Sequence, residues 1–459
     1  MTETQAKGDF SKGSIPRVIT GMALPLMAAQ LVNVLYNIVD RIYIGNIPGY
    51  GSLALAGLGV AAPVILAISA FTGLFGVGGV PLFSIARGRG DEDEAGRIMG
   101  TSFSLLMICA VVLMAAAWAL LKPSMLLFGA TEDILPFAVE YLAVYIVGTP
   151  FVMASIGMNG YINAQGFPKR GMLTVLMGAA ANIVLDPLFI YTLNMGVRGA
   201  AWATVISQAI SAVWCLSFLT GKKAELPLPR RFVAPTWKMT GRIAALGVTN
   251  FIVAFTNSLI QVLTNRQLGF YGGELHLSAI VIINSLRSVF IEVTHGFSAG
   301  MQPVLGYNYG AGEKARVLHC IRFTTLATVG ISAVVWLLFE LLPQFFLRLF
   351  TPDAELIALA VPAVRIYFCG ISFMALQAIG QSTHVGLGEA KKSIFFSLLR
   401  KVFIVTPLVL LLPKTGLGAW GVYWSEPISD LLGGGACFIT MMLTVYRPIR
   451  LELKKEATA

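Results

Sequence analysis

Charged side chains are scarce in this sequence. Of its 459 residues, 12% are Asp, Glu, Lys or Arg, whereas a soluble chain carries about 25%. With 56% hydrophobic residues and a mean hydropathy of +0.76, this composition excludes an ordinary soluble fold. Many apolar runs exceed about 18 residues, the length that a helix needs to cross a bilayer. The composition therefore predicts an all-α, polytopic membrane protein.

The cysteines and histidines of the sequence do not form recognisable metal, disulfide or catalytic motifs, and no nucleotide-binding motif is present. The five cysteines stand singly, without paired or metal-type spacing, and the four histidines lie in separate segments. No phosphate-binding P-loop occurs, so ATP is not expected as the energy source. A membrane-embedded enzyme would need clustered histidines, paired acids or a serine–lysine pair at one depth. We therefore predict that the protein is not an enzyme and carries no cofactor beyond a coupling ion. A membrane-embedded enzyme is the alternative function of a different class.

Twelve apolar segments are long enough to span a membrane. They are predicted at 18–44, 53–83, 98–121, 135–164, 171–192, 199–219, 243–269, 277–305, 318–342, 356–385, 393–412 and 419–445. Threading them in order places most of the 33 Lys and Arg residues on one side, which the positive-inside rule identifies as the cytoplasm. We therefore predict a multi-pass protein of the plasma membrane with both termini cytoplasmic. The net charge of +10 then reflects topology, and no nucleic-acid partner is expected.

The chain contains an internal repeat. Superimposing the second half on the first places Phe297 on Phe75, Gly300 on Gly78, Pro303 on Pro81, Gly310 on Gly88 and Tyr367 on Tyr145, and after a small deletion Pro407 meets Pro187. Each half holds six spans, so the halves are parallel repeats related by a pseudo-two-fold axis along the membrane normal. We predict an N-terminal six-helix bundle with the cation-coupling site (1–220), a cytoplasmic linker (221–242), a C-terminal six-helix bundle (243–446) and a cytoplasmic tail (447–459). Two bundles facing a cleft are typical of an alternating-access transporter.

An amide, a carboxylate and a proline interrupt the fifth apolar span. Asn182 and Asp186 are four residues apart and therefore share one helix face. Pro187 cannot donate a backbone hydrogen bond, so it weakens or bends the helix beside the acid and is a candidate hinge. A carboxylate at the centre of a bilayer costs at least ~2.5 kcal/mol, which marks Asp186 as a candidate functional residue.

A second acid lies on the first span. Asn33, Asn37 and Asp40 form a polar stripe with Tyr36 beside it, and their repeat mates are the apolar Phe255, Leu259 and Val262. Counting residues from the predicted outer ends of the spans places Asp40, Asn182, Asp186 and Thr204 at one level. Their oxygens suit a hard cation such as Na⁺, and two neighbouring carboxylates can also bind a proton between them. The sequence leaves the choice between H⁺ and Na⁺ open.

These features resemble the multidrug and toxic compound extrusion (MATE) family, in its DinF-like and MepA-like branch. The resemblance covers the whole chain and rests on the twelve-span repeat, on Pro25 with Asp40, on Asn182 with Asp186-Pro187, and on Thr204. It implies antiport of amphipathic organic cations and drugs against H⁺ or Na⁺. It also implies a cation site at Asp40, Asn182, Asp186 and Thr204, and bending of the first helix at Pro25. We expect a monomer in the lipid bilayer.

A substrate cavity is predicted between the bundles. Its candidate residues are Asn33, Tyr36, Asn37, Phe151, Met153, Ser155, Asn159, Asn163, Gln377 and Gln381. The close alternative function is a flippase for lipid-linked saccharides, which would need a basic cavity for a pyrophosphate; the acidic N-terminal cluster argues against it.

Two further groups of charges fall inside predicted spans. Glu292 and His295, with Arg287 and Arg365, are interpreted as an ion-paired structural network, with a second proton relay as the alternative. Glu426 and Asp430, with Arg400 and Lys401, receive the same two interpretations.

Overall fold

The computed structural model describes residues 10–229 and 234–458. The parts of the predicted domains that fall on residues 1–9, 230–233 and 459 lie outside this range. Helices α1 to α6 run over Ile15–Gly45, Gly51–Gly88, Glu92–Ala119, Leu135–Val147 with Thr149–Ala164, Pro168–Thr192 and Gly196–Leu219. Helices α7 and α8 are the two parts of Trp237–Gly310 on either side of Gly273, and α9 to α12 run over Lys314–Leu341, Ala354–Phe368 with Ile371–Gly386, Ala390–Thr415 and Ala419–Glu456.

The twelve helices confirm the predicted fold. In the described part of the chain nine apolar helical stretches are long enough to span a membrane, and two bent pairs qualify when each is taken as one span. One of the nine, Leu259–Gly310, contains the end of α7 and all of α8, because Gly273 has a φ of 69° and breaks the helix between them. The boundaries lie within a few residues of the predicted ones except for the start of α7, at Trp237, and the end of α12, at Glu456.

Both bent helices break at the same position of the repeat. Helix α4 bends by 57° at Gly148 and α10 by 41° near Gly370. The register that superimposes Tyr145 on Tyr367 also superimposes these two glycines. At Gly370 a Cβ atom would lie 2.7 Å from Cα of Pro427. The glycine therefore permits a close approach of α10 to α12.

A π-helical segment lies near each of three prolines in the spans. Leu188–Thr192 follows Pro187, Leu399–Val405 precedes Pro407, and Asp430–Gly434 begins three residues after Pro427. A proline removes one backbone donor and interrupts the i→i−4 hydrogen bonds of the helix. The wider π turn shifts the hydrogen-bonding register by one residue. Each of these segments contains or adjoins an ionisable residue of a span.

Among the described residues, the N-terminal unit comprises Phe10 and Leu24–Val248. After α6 the chain stays attached to this unit, because the backbone N–H of Leu226 donates to Oε1 of Gln165 at 3.0 Å and Glu225 pairs with Arg87. The start of α7 also packs here: a Cβ on Gly78 would lie 2.5 Å from the carbonyl oxygen of Ile243. Glu225 and Leu226 of the predicted linker and the first turns of α7 therefore pack with the N-terminal unit.

The C-terminal unit comprises Ser11–Ala23 and Thr249–Ala459. A Cβ on Gly300 of α8 would lie 2.9 Å from the backbone nitrogen of Ala23 on α1. The guanidinium of Arg316 donates to the carbonyl of Gly13 at 2.9 Å. The start of α1 therefore packs with the C-terminal unit. Compared with the predicted domain borders, the first turns of α1 belong to the C-terminal unit and the first turns of α7 to the N-terminal unit.

Candidate cation site

Asp186 lies at the end of the regular part of α5, where Pro187 and the π segment begin. Its side chain is fully buried, and Nδ2 of Asn182 donates to its Oδ1 at 3.1 Å. The four-residue spacing therefore places the amide against the acid, as the helical period predicts.

Asp40 of α1 joins this pair. It is 8% exposed, and its carboxyl group lies within hydrogen-bonding reach of the Asp186 carboxyl. Two carboxyl groups can form a hydrogen bond only when one of them carries the proton. The two acids that sequence reasoning placed at one level are thus direct neighbours.

Thr204 of α6 borders the acids through a tyrosine. The Thr204 hydroxyl donates to the carbonyl of Ala200 at 3.1 Å, and Tyr141 of α4 lies within hydrogen-bonding reach of Thr204 and close to Asp40. Both side chains are buried. Tyr141 was missed in the sequence, since an aromatic residue in an apolar span carries no signal of a polar role.

Three acceptor oxygens of this site have no donor. Within the described residues, Oδ1 of Asp40, Oδ2 of Asp186 and Oδ1 of Asn182 are buried and form no hydrogen bond. Buried polar atoms in proteins nearly always have partners. A group of buried acceptors fits a cation, either a proton bridging the carboxyls or a Na⁺ ion that takes oxygen ligands. No grouping of three His, Cys, Asp or Glu side chains that could hold a metal occurs in the described ranges.

A polar chain continues from the acids to the predicted cavity residues. Tyr36, half-buried on α1, lies within hydrogen-bonding reach of Gln208 on α6. The Ser155 hydroxyl of α4 donates to Oε1 of Gln208 at 3.1 Å. Gln208 therefore connects the first, fourth and sixth helices of the N-terminal unit.

The other predicted cavity residues of α1 and α4 differ in exposure. Asn33 and Asn37 are exposed, and Nδ2 of Asn37 donates to the backbone carbonyl of Asn33 at 2.6 Å. Phe151 is 38% exposed, whereas Met153 is fully buried in the hydrophobic core of the N-terminal unit. Asn33, Asn37 and Phe151 are thus exposed, whereas Met153 is buried.

The remaining cavity candidates are half-buried or buried. Nδ2 of Asn159 donates to the carbonyl of Gly171 at 3.2 Å, and Asn163 is buried. On α10, Nε2 of Gln381 donates to the Ser397 hydroxyl at 2.7 Å, and Gln377 is buried with a free Oε1 among the described atoms.

The two predicted hinge prolines lie in different local structures. Pro25 lies inside α1, which is helical from Ile15 to Gly45, one residue after the chain passes from the C-terminal unit to the N-terminal unit. Pro187 stands at the change from α to π register in α5. Bending at either position stays a prediction.

The C-terminal unit contains a buried charge cluster formed by Arg287, Arg400, Lys401, Glu426 and Asp430. The predicted pairs of Glu426 and Asp430 with Arg400 and Lys401 are present. The network predicted around Glu292 was wrong. Arg287 pairs with Glu426 and Arg365 with Glu340, while Glu292 has no ion pair in the described part of the chain. Arg287 and Glu292 are close in sequence on α8, but they do not pair because Arg287 faces α12.

A second repeat register was also missed. Near the ends of the two halves, Ser207-Gln208-Ala209-Ile210-Ser211 aligns with Ser425-Glu426-Pro427-Ile428-Ser429, in a register slightly different from that of the earlier helices. Gln208 of the N-terminal unit therefore corresponds to Glu426 of the charge cluster. Both units thus hold a polar group at one position of the repeat.

Comparisons with known proteins agree with this arrangement. The family model MatE matches residues 25–188 and 250–411, one copy in each half. The chain is 23% identical over 438 residues to the multidrug export protein MepA of Staphylococcus haemolyticus, covering 95% of this chain and 94% of MepA. It is 24% identical over 442 residues to MepA of Staphylococcus saprophyticus, covering 95% of each protein.

Solved structures show the same fold. A crystal structure of MATE in the bent conformation superimposes with a TM-score of 0.90 at 22% identity over the full length of both chains. The two matches to the family model together cover more than half of the sequence. This protein therefore belongs to the MatE family of multi-pass membrane transporters.

Proposed function

We propose that the protein is a secondary active antiporter, which exports amphipathic organic cations by alternating access and takes up a small cation in exchange. The observation that carries this proposal is the contact between the Asp40 and Asp186 carboxyl groups, in which one oxygen of each acid and the neighbouring Oδ1 of Asn182 have no donor among the described residues. Such a site binds one small cation and releases it when the helices around it move. Binding and release of that cation would drive export.

The proton is the favoured coupling ion. Two buried carboxyls in contact repel each other when both are ionised, and one proton between them removes the repulsion and supplies their missing hydrogen bond. Na⁺ is the rival, because the oxygens of Asn182 and Thr204 add ligands that a dehydrated Na⁺ requires. Whichever ion is used, it would bind at the same site, formed by Asp40, Asn182, Asp186 and Thr204.

Organic cations are the substrates that the accessible polar and aromatic groups fit best. Tyr36, Asn37 and Phe151 offer hydrogen bonds and ring faces without a fixed positive charge, and ring faces attract cations. The MepA relatives are named multidrug export proteins. We infer that this chain likewise exports several drugs, as a monomer in the plasma membrane with both termini cytoplasmic.

The test separates the two ions. The purified protein is reconstituted in liposomes, and dye transport is measured under a pH gradient with Na⁺ excluded from both sides, then under a Na⁺ gradient at equal pH. We expect transport under the pH gradient alone. Transport that requires Na⁺ and ignores the pH gradient would show that Na⁺ is the coupling ion, and absence of transport under both gradients would contradict antiport itself.

A further inference from the structure

The buried charge cluster joins three helices of the C-terminal unit. Arg400 of α11 donates through Nη2 to Oε2 of Glu426 on α12 at 2.9 Å, and Arg287 of α8 donates to the same oxygen at 3.1 Å. Nζ of Lys401 donates to Oε1 of Glu426 at 3.3 Å, and Arg400 also pairs with Asp430. Each of these five side chains is at most 13% exposed.

The cluster holds one positive charge too many. With every group ionised it contains three cations (Arg287, Arg400, Lys401) and two anions (Glu426, Asp430). An uncompensated charge inside a membrane protein is strongly destabilising. An arginine does not lose its proton in proteins, whereas a lysine can. Lys401 is therefore the member whose deprotonation makes the cluster neutral.

A polar stripe leads along α11 to Lys401. Ser393 and Ser397 are four residues apart on one face of α11, and Lys401 follows one turn later, in the π segment Leu399–Val405. Gln381 of α10 donates to the Ser397 hydroxyl at 2.7 Å, and Ser397 donates to the carbonyl of Ser393 at 2.9 Å. The stripe is specific to this half of the protein. In the register that superimposes Pro187 on Pro407, the equivalent positions of α5 hold Leu173, Met177 and Ala181.

Buried polar atoms without a partner lie on α10 and α11. In the described part of the chain they include Oε1 of Gln377, Oγ1 of Thr383, Nε2 of His384, Oγ of Ser393 and Nε of Arg400. Buried polar atoms that lack a protein partner are the usual sites of internal water. Water among these side chains would complete a hydrogen-bonded path between His384 and the cluster.

The other end of the stripe reaches a partly exposed acid. Nδ1 of His384 lies 2.6 Å from Oε2 of Glu389, and Nζ of Lys392 donates to Oε1 of Glu389 at 2.8 Å. Burial alone would raise the pKa of Glu389, but the hydrogen bonds from His384 and Lys392 outweigh it and lower that pKa. Glu389, in the loop between α10 and α11, is therefore an anion at neutral pH, and its carboxylate can accept a proton from His384 and release it to water.

We propose that Lys401 is a proton-binding site of the C-terminal unit, which exchanges its proton with the predicted cytoplasmic side through Ser397, Gln381, His384 and Glu389. When Lys401 releases its proton, the ammonium becomes a neutral amine and the proton leaves along this path. The charged groups near Lys401 are Arg400 on its own helix, Glu426 and Asp430 on α12, and Arg287 on α8, which binds Tyr367 of α10. This site goes beyond the proposed function, and it binds a proton whichever ion Asp40 and Asp186 take.

The first test measures proton uptake by the full-length purified protein without substrate or gradient. After a jump from about pH 9.5 to about pH 6, a pH-indicator dye reports the protons taken up. We expect wild type to bind about one proton more than Lys401→Arg. The pathway variant Ser397→Val should bind the same number more slowly. Equal uptake by wild type and Lys401→Arg would overturn the proposal.

The second test uses thermal unfolding over the same pH range. Lys401→Met, which neutralises the cluster permanently, should unfold at a higher temperature than wild type at acidic pH, and the difference should disappear at alkaline pH. Lys414→Met, at an exposed lysine of the same unit, should behave as wild type. If Lys401→Met lowers the midpoint equally at every pH while Lys401→Arg matches wild type, Lys401 is a structural ion-pair partner only. Loss of dye transport under both ion gradients would contradict antiport without affecting either test.

Discussion

Tyr191 at the π-helical end of α5 donates its hydroxyl to the backbone carbonyl of Tyr43 on α1, at 2.7 Å. The two rings also meet edge to face, with centroids 6.4 Å apart. Asp186 lies five residues before Tyr191 and Asp40 three residues before Tyr43. This bond therefore joins the two acid-bearing helices directly beyond the acids, and it forms from the segment where Pro187 changes the helical register.

Removal of that hydroxyl should weaken coupling without unfolding the protein. Tyr191→Phe keeps the ring contact and loses one hydrogen bond, worth about 0.5–1.5 kcal/mol. We expect normal purification and several-fold slower dye efflux in proteoliposomes, because α1 and α5 are then held less firmly around the acids. Tyr43→Phe is the matched control, since the backbone carbonyl of residue 43 remains. Equal efflux in both variants would show that the contact is dispensable.

Asp186→Asn should abolish coupled efflux. The amide has nearly the shape of the acid but cannot take up a proton or offer a charge to Na⁺. The protein should still elute as a single species, because Asn182 can bond to the new amide oxygen. Asp133→Asn, at an exposed acid of the same unit, controls for the loss of one charge. Near-normal efflux by Asp186→Asn would remove this residue from the mechanism.

Asn182→Leu distinguishes the coupling ions at the level of the site. The substitution removes an oxygen ligand that Na⁺ requires, while both carboxyls keep their contact. If the proton is the coupling ion, efflux under a pH gradient should fall by less than about tenfold, a cost of about 1.4 kcal/mol. A complete loss, as in Asp186→Asn, would favour Na⁺.

The ion pairs of the charge cluster should matter for stability. Asp430→Asn removes a partner of Arg400, and breaking a buried pair typically costs about 3–5 kcal/mol. Glu292→Gln is the comparison, because Glu292 lies on α8 without an ion pair in the described structure. We expect a clear fall in thermal unfolding temperature and yield for Asp430→Asn and a small change for Glu292→Gln. The reverse order would indicate a structural role for Glu292.

Gly78→Ala should damage the packing of the N-terminal unit. The added Cβ would lie 2.5 Å from the carbonyl of Ile243 and 2.7 Å from the nitrogen of Gly247, and backbone cannot move aside as a side chain can. Such overpacking costs about 1–3 kcal/mol. Gly59→Ala on the same helix has no atom within 4 Å and should unfold as wild type does.

The helices and the acid pair could be predicted because their signals are local or repeated. Apolar run length marks each span, and the four-residue spacing of Asn182 and Asp186 fixes one face of α5. Counting residues from the predicted outer ends of the spans placed Asp40 at the same depth in the membrane as Asp186. These are properties of single helices, which the helical period determines.

The partners of Arg287 and the role of Tyr141 could not be predicted. Which helix a side chain faces depends on the rotation of two helices about their axes, and the sequence of one span does not contain that rotation. The π segments near Pro187, Pro407 and Pro427 change it further, because each shifts the faces of all residues beyond it. For the same reason Glu426 pairs with three cationic side chains, whereas the sequence predicted only Arg400 and Lys401 as partners.

The exchange of chain segments at Ala23 and Val248 bears on the origin of the repeat. A half-length ancestor with this arrangement could not have completed its own packing, since the first turns of its first helix would belong with another copy. Residues 1–236 and 237–459 expressed as separate chains, cut before α7 begins, should therefore assemble when made together and aggregate when made alone.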